Sequence, residues 1–183
     1  MAQSLGYAER DPSADLLGMD LVAKISILAM LATNKKIDKN EISCKGIDNI
    51  TLKFIEYVKD EEIVCKIIAE AINLGDSYHI AVLPVVVNNN SLLAQTNNAF
   101  NSIFLDCKEN GRLLFNGLGA GKNATATAVV NDIINIKENI NYINFCCDGK
   151  IKINNYELLR NYSVVRRLSG GRGLNSLGYA EDQ

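Results

Sequence analysis

The chain has 183 residues, 48% of them apolar and 22% charged, with a formal net charge of −2. A domain of that size can bury a sizeable core, and a slightly acidic chain with no basic patch argues against a nucleic-acid surface. The longest apolar run, Ile25 to Ala32, is too short to span a bilayer, and the N-terminus lacks the basic-then-apolar order of a signal peptide. A cytoplasmic protein with no membrane partner is therefore expected. The cysteines, Cys44, Cys65, Cys107, Cys146 and Cys147, form no CxxC pair, so neither a zinc site nor a disulfide framework is expected and no metal is assigned. Cys146 and Cys147 read as packing residues.

In chain order, the stretch Glu9 to Lys24, ERDPSADLLGMDLVAK, sets acidic residues and a lysine where an apolar helix begins. The helix runs from Leu17 to Thr33. At about 100° per residue, Leu17, Ile27, Leu28 and Leu31 surround the stripe that holds Asp20 and Lys24. Water is left a narrow strip near Ser26, Thr33 and Asn34, so the helix reads as largely buried, and buried charge needs a partner or a task. Two readings stay open. Asp20 and Lys24 are i,i+4 neighbours in the favourable order and can simply neutralise each other. Alternatively, Asp20 orients a polar substrate and Lys24 moves a proton.

A polar connector follows through Asn49, then a second helix over 51–59. Apolar runs of strand composition cover 63–74, 78–87, 99–107 and 112–116, broken by Gly75-Asp76, Asn88 to Asn90 and Asn110-Gly111 as connections within a sheet. His79, at a strand start and in no motif, reads as structural. The loop Gly117-Leu118-Gly119-Ala120-Gly121 lacks the spacing of a dinucleotide fingerprint; its glycines allow backbone to approach a flat ring closely, and Lys122 reads as solvated. A third helix over 124–137 repeats apolar residues at Val129, Ile133 and Ile136, which sets it against the sheet. The fold class is α+β: a mostly antiparallel mixed sheet with helices packed on one face. The basic, glycine-rich stretch Arg166 to Gly173 reads as a mobile tail, and the string SLGYAE occurs twice, at Ser4 to Glu9 and Ser176 to Glu181.

Gly6-Tyr7-Ala8-Glu9, Asp11-Pro12, Asp15-Leu16, Gly18, Asp20 and Lys24 together resemble the substrate-site signature of homoserine dehydrogenases. A second block, Gly117 to Gly121 followed by Thr125-Ala126 and Val129 to Asp132, resembles the glycine-rich loop and helix that close the same catalytic domain. Weaker similarity links the two at Gly46-Ile47, Pro84, Leu93-Ala94 and Asn98-Ala99, and the likeness runs from about Ala2 to Ile133.

The resemblance implies an NAD(P)-dependent oxidoreductase that interconverts L-homoserine and L-aspartate 4-semialdehyde in threonine and methionine biosynthesis. By position, Lys24 matches the general acid/base. Glu9, Asp20 and Asp15 match acidic substrate-binding positions, and Gly119 and Gly121 match the loop beside the nicotinamide. Residues 1–140 are the expected catalytic domain and 141–183 a partly disordered extension. The family's nucleotide-binding domain is missing from this sequence, so most NAD(P) contacts are expected elsewhere, on a separate chain or on a longer form of this one. A homodimer is implied as well. The alternative is a non-catalytic assembly module that keeps only the dimer-forming sheet.

Overall fold

The computed structural model describes residues 11–60, 62–138 and 149–154. They fall into two compact units, one built on Pro12–Ser91 with 149–154, the other on 92–138. The first begins with a short helix, α1 (Ser13–Leu16), and a long one, α2 (Met19–Thr33). Between them Gly18 adopts the left-handed conformation at φ 80°, which glycine reaches without a Cβ penalty. Helix α2 is rich in good helix formers and ends where Asn34, also left-handed at φ 53°, returns its N–H to the Met30 carbonyl at 2.8 Å.

After a 3-10 turn at Lys39–Glu41 come a two-residue strand, β1 (Ser43–Cys44), a third helix, α3 (Leu52–Asp60), and a long hairpin of β2 (Ile63–Asn73) and β3 (Tyr78–Asn88). The three strands pair in the order β1-β3-β2. β1 runs parallel to β3, and β2 antiparallel to it with Ile67 opposite Pro84. The hairpin turn is closed by Leu74 N–H on the Ser77 carbonyl and by Gly75 N–H on the Asn73 side chain. Because side chains alternate along a strand, Ile67, Ala69, Ile80 and Val82 share a face and pack on Val22, Ile25 and Ala29 of α2. Ile63, Cys65 and Val86 lie on the same face and pack on Phe54 and Val58 of α3. Both helices thus cover one side of an α+β sheet. The opposite side carries Ile68, Ala81, Leu83 and Val85.

Residues 149–154 belong to this unit. Lys36 and Tyr78 each make a parallel bridge to them, at Lys150 and Ile153, and Ile151 is buried. Lys150 Nζ reaches Asp38 at 3.1 Å and Glu41 at 2.6 Å.

The second unit holds a hairpin of β4 (Phe100–Cys107) and β5 (Gly111–Leu118), then helix α4 (Lys122–Lys137). An ion pair between Arg112 Nε and Asp106 at 2.7 Å lies next to its turn.

Three expectations are corrected. The four long strands form two sheets, not one, since the chain leaves the first at Asn88 and forms turns before β4. Val129, Ile133 and Ile136 of α4 are exposed, up to 76% for Ile136, and are not covered by β4 and β5. In α2 the buried residues are Val22, Ile25, Ser26 and Ala29, with Ser26 1% exposed and Ile27 52%. The helical period sets Ser26 on the watery strip, yet its hydroxyl bonds the Val22 carbonyl at 2.6 Å, which satisfies the group locally and lets it pack against the sheet. Ile27 and Leu31 face outward instead.

Replacing Ile80 by alanine should cost about 2–5 kcal/mol, as large-to-small changes in packed cores do. The same change at Ile27 should cost under about 1 kcal/mol, since little area is buried there. Urea unfolding of both variants checks the assignment, and equal losses would contradict it.

Candidate active site

Asp20 lies in the first turn of α2, where a carboxylate also meets the positive end of the helix dipole. Lys24 lies one turn further. Its Nζ is 2.6 Å from Asp20 Oδ2, and the side chains are 47% and 42% exposed, Lys24 first. The pair is therefore half solvated, not sunk in an apolar face as the sequence suggested. The reason is the rotation of α2: with Val22, Ile25, Ser26 and Ala29 on the sheet, the stripe of Asp20, Lys24, Ile27 and Leu31 points away from it. Leu17, Met19, Ile27 and Leu31 remain exposed on this helix and the elbow before it, so the charges sit among apolar side chains with water in reach.

The elbow is fastened from the side. Ile47 N–H donates to the Leu16 carbonyl at 2.7 Å, the Cys44 thiol to the Leu17 carbonyl at 3.2 Å, and Lys45 N–H to the Val82 carbonyl at 2.8 Å. The segment after β1 thus ties the start of α2 to β3. Asp15 is exposed on α1, before the elbow. Glu9 lies outside the described residues, as do Cys146, Cys147, the Arg166 to Gly173 tail and both SLGYAE strings.

Gly119 and Gly121 belong to the second unit. Gly119 N–H bonds the Ala99 carbonyl at 2.9 Å, and a Cβ on Gly119 would overlap the Asn101 side chain. Gly121, at φ 110°, precedes α4, and a Cβ there would meet nothing within 4 Å. Open backbone ahead of a helix leaves room for a flat group to approach at Gly121. At Gly119 that direction is taken by Asn101. Among the described residues, no group of three or more His, Cys, Asp or Glu is placed to hold a metal ion, and no helix is long and apolar enough to cross a membrane.

A second titratable pair is internal. His79 is 3% exposed on β3, and its Nε2 lies 3.4 Å from Glu70 Oε1 on β2. Burial pushes the Glu70 carboxyl above its ordinary value. Lys66, on the same strand face, has its ammonium pKa lowered by burial. These groups lie on the side of the sheet opposite α2, and no sequence motif marks them.

Comparison with known proteins finds a match between residues 1–134 and the family model described as homoserine dehydrogenase. A homoserine dehydrogenase of Synechocystis is 37% identical over 139 residues, 74% of this chain and 32% of that protein. An NAD(+)-dependent homoserine dehydrogenase of Pseudomonas canavaninivorans is 37% identical over 138 residues, covering 75% of this chain and 39% of its own length. Among solved structures, the homoserine dehydrogenase of S. aureus at pH 6.5 superposes with a TM-score of 0.67 at 30% identity, covering 78% of this chain and 35% of that one. The chain spans about a third of the length of the curated relatives it matches.

Two measurements check the electrostatics. Lys24→Met should cost under about 1 kcal/mol, the range of half-exposed ion pairs; a loss of about 3–5 kcal/mol would signal a stranded buried carboxylate instead. Glu70, whose folded pKa is raised, contributes stability that is full below its ordinary value of 4.5 and is lost as pH rises through the folded value. Glu70→Gln should therefore gain stability relative to the unmodified chain as pH rises above 4.5, as followed by urea midpoints. An unchanged gap over that rise would overturn the assignment.

Proposed function

Because the chain belongs to the homoserine dehydrogenase family, we propose that it supplies the substrate-binding and acid/base half of a site that interconverts L-homoserine and L-aspartate 4-semialdehyde with NAD(P). The observation that carries this reading is the half-solvated Asp20–Lys24 pair, an acid and a base in contact on an open helix face. A nicotinamide cofactor, when bound, supplies or takes the hydride.

In the reducing direction, Lys24 delivers a proton to the carbonyl oxygen of the semialdehyde. In the reverse direction it accepts the hydroxyl proton of homoserine. Asp20 holds the ammonium at 2.6 Å and fixes where that proton is presented. The exposure of the pair lets Lys24 exchange protons with water between turnovers. Asp20, Asp15 and Glu9 offer carboxylates to the cationic amine of the amino acid. Gly121, with open space where a side chain would be, suits close approach by the nicotinamide, and Gly119 serves by fixing the loop against Asn101. Among the described residues, the parallel pair β1–β3 is joined through an antiparallel strand, so they form no dinucleotide-binding βαβ unit. The remaining NAD(P) contacts are assigned to a nucleotide-binding portion, in this polypeptide or on a separate chain.

The same reading places the protein in the cytoplasm, in threonine and methionine biosynthesis, as a homodimer. Exposed Leu105, Leu113 and Phe115 on β4 and β5 support self-association.

Joined to the nucleotide-binding portion of a matched relative, the chain should reduce aspartate semialdehyde. Lys24→Ala should then lower kcat by about 10²-fold or more, because proton transfer belongs to the transition state. Asp20→Asn should chiefly raise KM for homoserine. Full turnover by the Lys24→Ala protein would refute the role given to Lys24.

A further inference from the structure

We infer that Gly46 is a positioning residue for the Asp20–Lys24 pair: the absence of its side chain lets the segment after β1 close against the α1–α2 elbow and fix where α2 begins. A Cβ built on Gly46 would overlap the Leu16 carbonyl oxygen and lie 2.6 Å from Leu17 Cα and 3.0 Å from the Leu17 carbonyl carbon. All three atoms are backbone, so no flexible side chain can move aside. The backbone at Gly46 is not in the left-handed region, and close approach alone requires the glycine.

On its other side the elbow lies close against the sheet. At Gly18, a Cβ would already be 3.1 Å from both Cys44 Sγ and Val82 Cγ1 and 3.2 Å from Ile67 Cδ1, so the backbone rests directly on β2 and β3. Leu16, Leu17 and Gly18 are thus held between the sheet and Gly46. The two carbonyls of Leu16 and Leu17 are bonded to Ile47 N–H and the Cys44 thiol. The first hydrogen bond of α2 starts from this point, Val22 N–H to the Gly18 carbonyl at 3.0 Å. A side chain at position 46 displaces the elbow, and the start of α2, with Asp20 and Lys24, is displaced with it. Gly46 touches neither, so it acts through the helix start.

The functional part of this inference rests on the proposed substrate reading, and the test separates the two. Amide spectra of the 183-residue chain, together with the ammonium signal of Lys24, are compared for Gly46→Ala and Gly75→Ala. Gly75, at φ 91° with nothing within 4 Å of its Cβ, strains the backbone when substituted but lies in the β2–β3 turn. The expected result is that Gly46→Ala moves the signals of residues 16–20 and of Lys24 while Gly75→Ala leaves them in place. Affinity for L-homoserine, titrated in the same spectra, should fall roughly tenfold in Gly46→Ala alone, about 1.4 kcal/mol of lost contact to the displaced carboxylate. A folded Gly46→Ala protein with those signals unmoved, or with homoserine affinity unchanged, overturns the inference. If the unsubstituted chain shows no homoserine binding, the substrate reading fails and the spectra still judge the positioning role. If Gly46→Ala does not fold, Cys44→Ala carries the test: it removes the thiol bond to Leu17 without adding an atom, must shift the same signals, and overturns the inference if it does not.

Discussion

The seam between α2 and the β2–β3 hairpin sets the direction of nearly everything else in the first unit. Val22, Ile25, Ser26 and Ala29 are small or β-branched, so the helix sits close on Ile67, Ile80 and Val82. Once that face is chosen, the 3.6-residue period fixes the opposite stripe, and Asp20 and Lys24 have no choice but to face outward. Ser26 shows why polarity did not prevent the choice: a hydroxyl that bonds the preceding turn is as easily buried as a small apolar group.

Exposure then separates the two charged pairs by the work each can do. Asp20 and Lys24 meet in partial solvent, where the attraction is screened and the cost of holding charge is small. Such a pair can exchange partners at little cost. Glu70 and His79 lie inside the sheet, where burial disfavours the carboxylate and ties its protonation to the stability of the fold. The first arrangement suits chemistry, the second suits structure.

The second unit has the opposite character. Its hairpin has two strands, and such hairpins are marginal by themselves. Phe115 and Leu118 of β5 and Val130 and Ile133 of α4 are exposed. A helix apolar on several sides is one that expects cover. The family match includes this unit up to residue 134, and the matched relatives are about three times as long as the aligned region.

Much of this was legible in the residues. Strand and helix limits followed from period, asparagine turns and Gly75, and they agree with the structure within a few residues because local patterning and turn chemistry act within the element itself. The likeness to the family rested on Glu9 to Lys24 and on Gly117 to Asp132, which are contiguous and hence readable in one dimension. Which face of α2 is buried was not readable, since the helix offers apolar residues on both sides and only shape complementarity to β2 and β3 selects Val22 and Ala29 over Ile27 and Leu31. The split into two sheets, the pairing of 149–154 with Lys36 and Tyr78, and the closure of Gly46 on Leu16 depend on segments far apart in the chain. The sequence by itself determined the elements, their order and the family; tertiary structure decided the solvent exposure of Asp20 and Lys24, because exposure depends on which surfaces fit together, not on the period of any one segment.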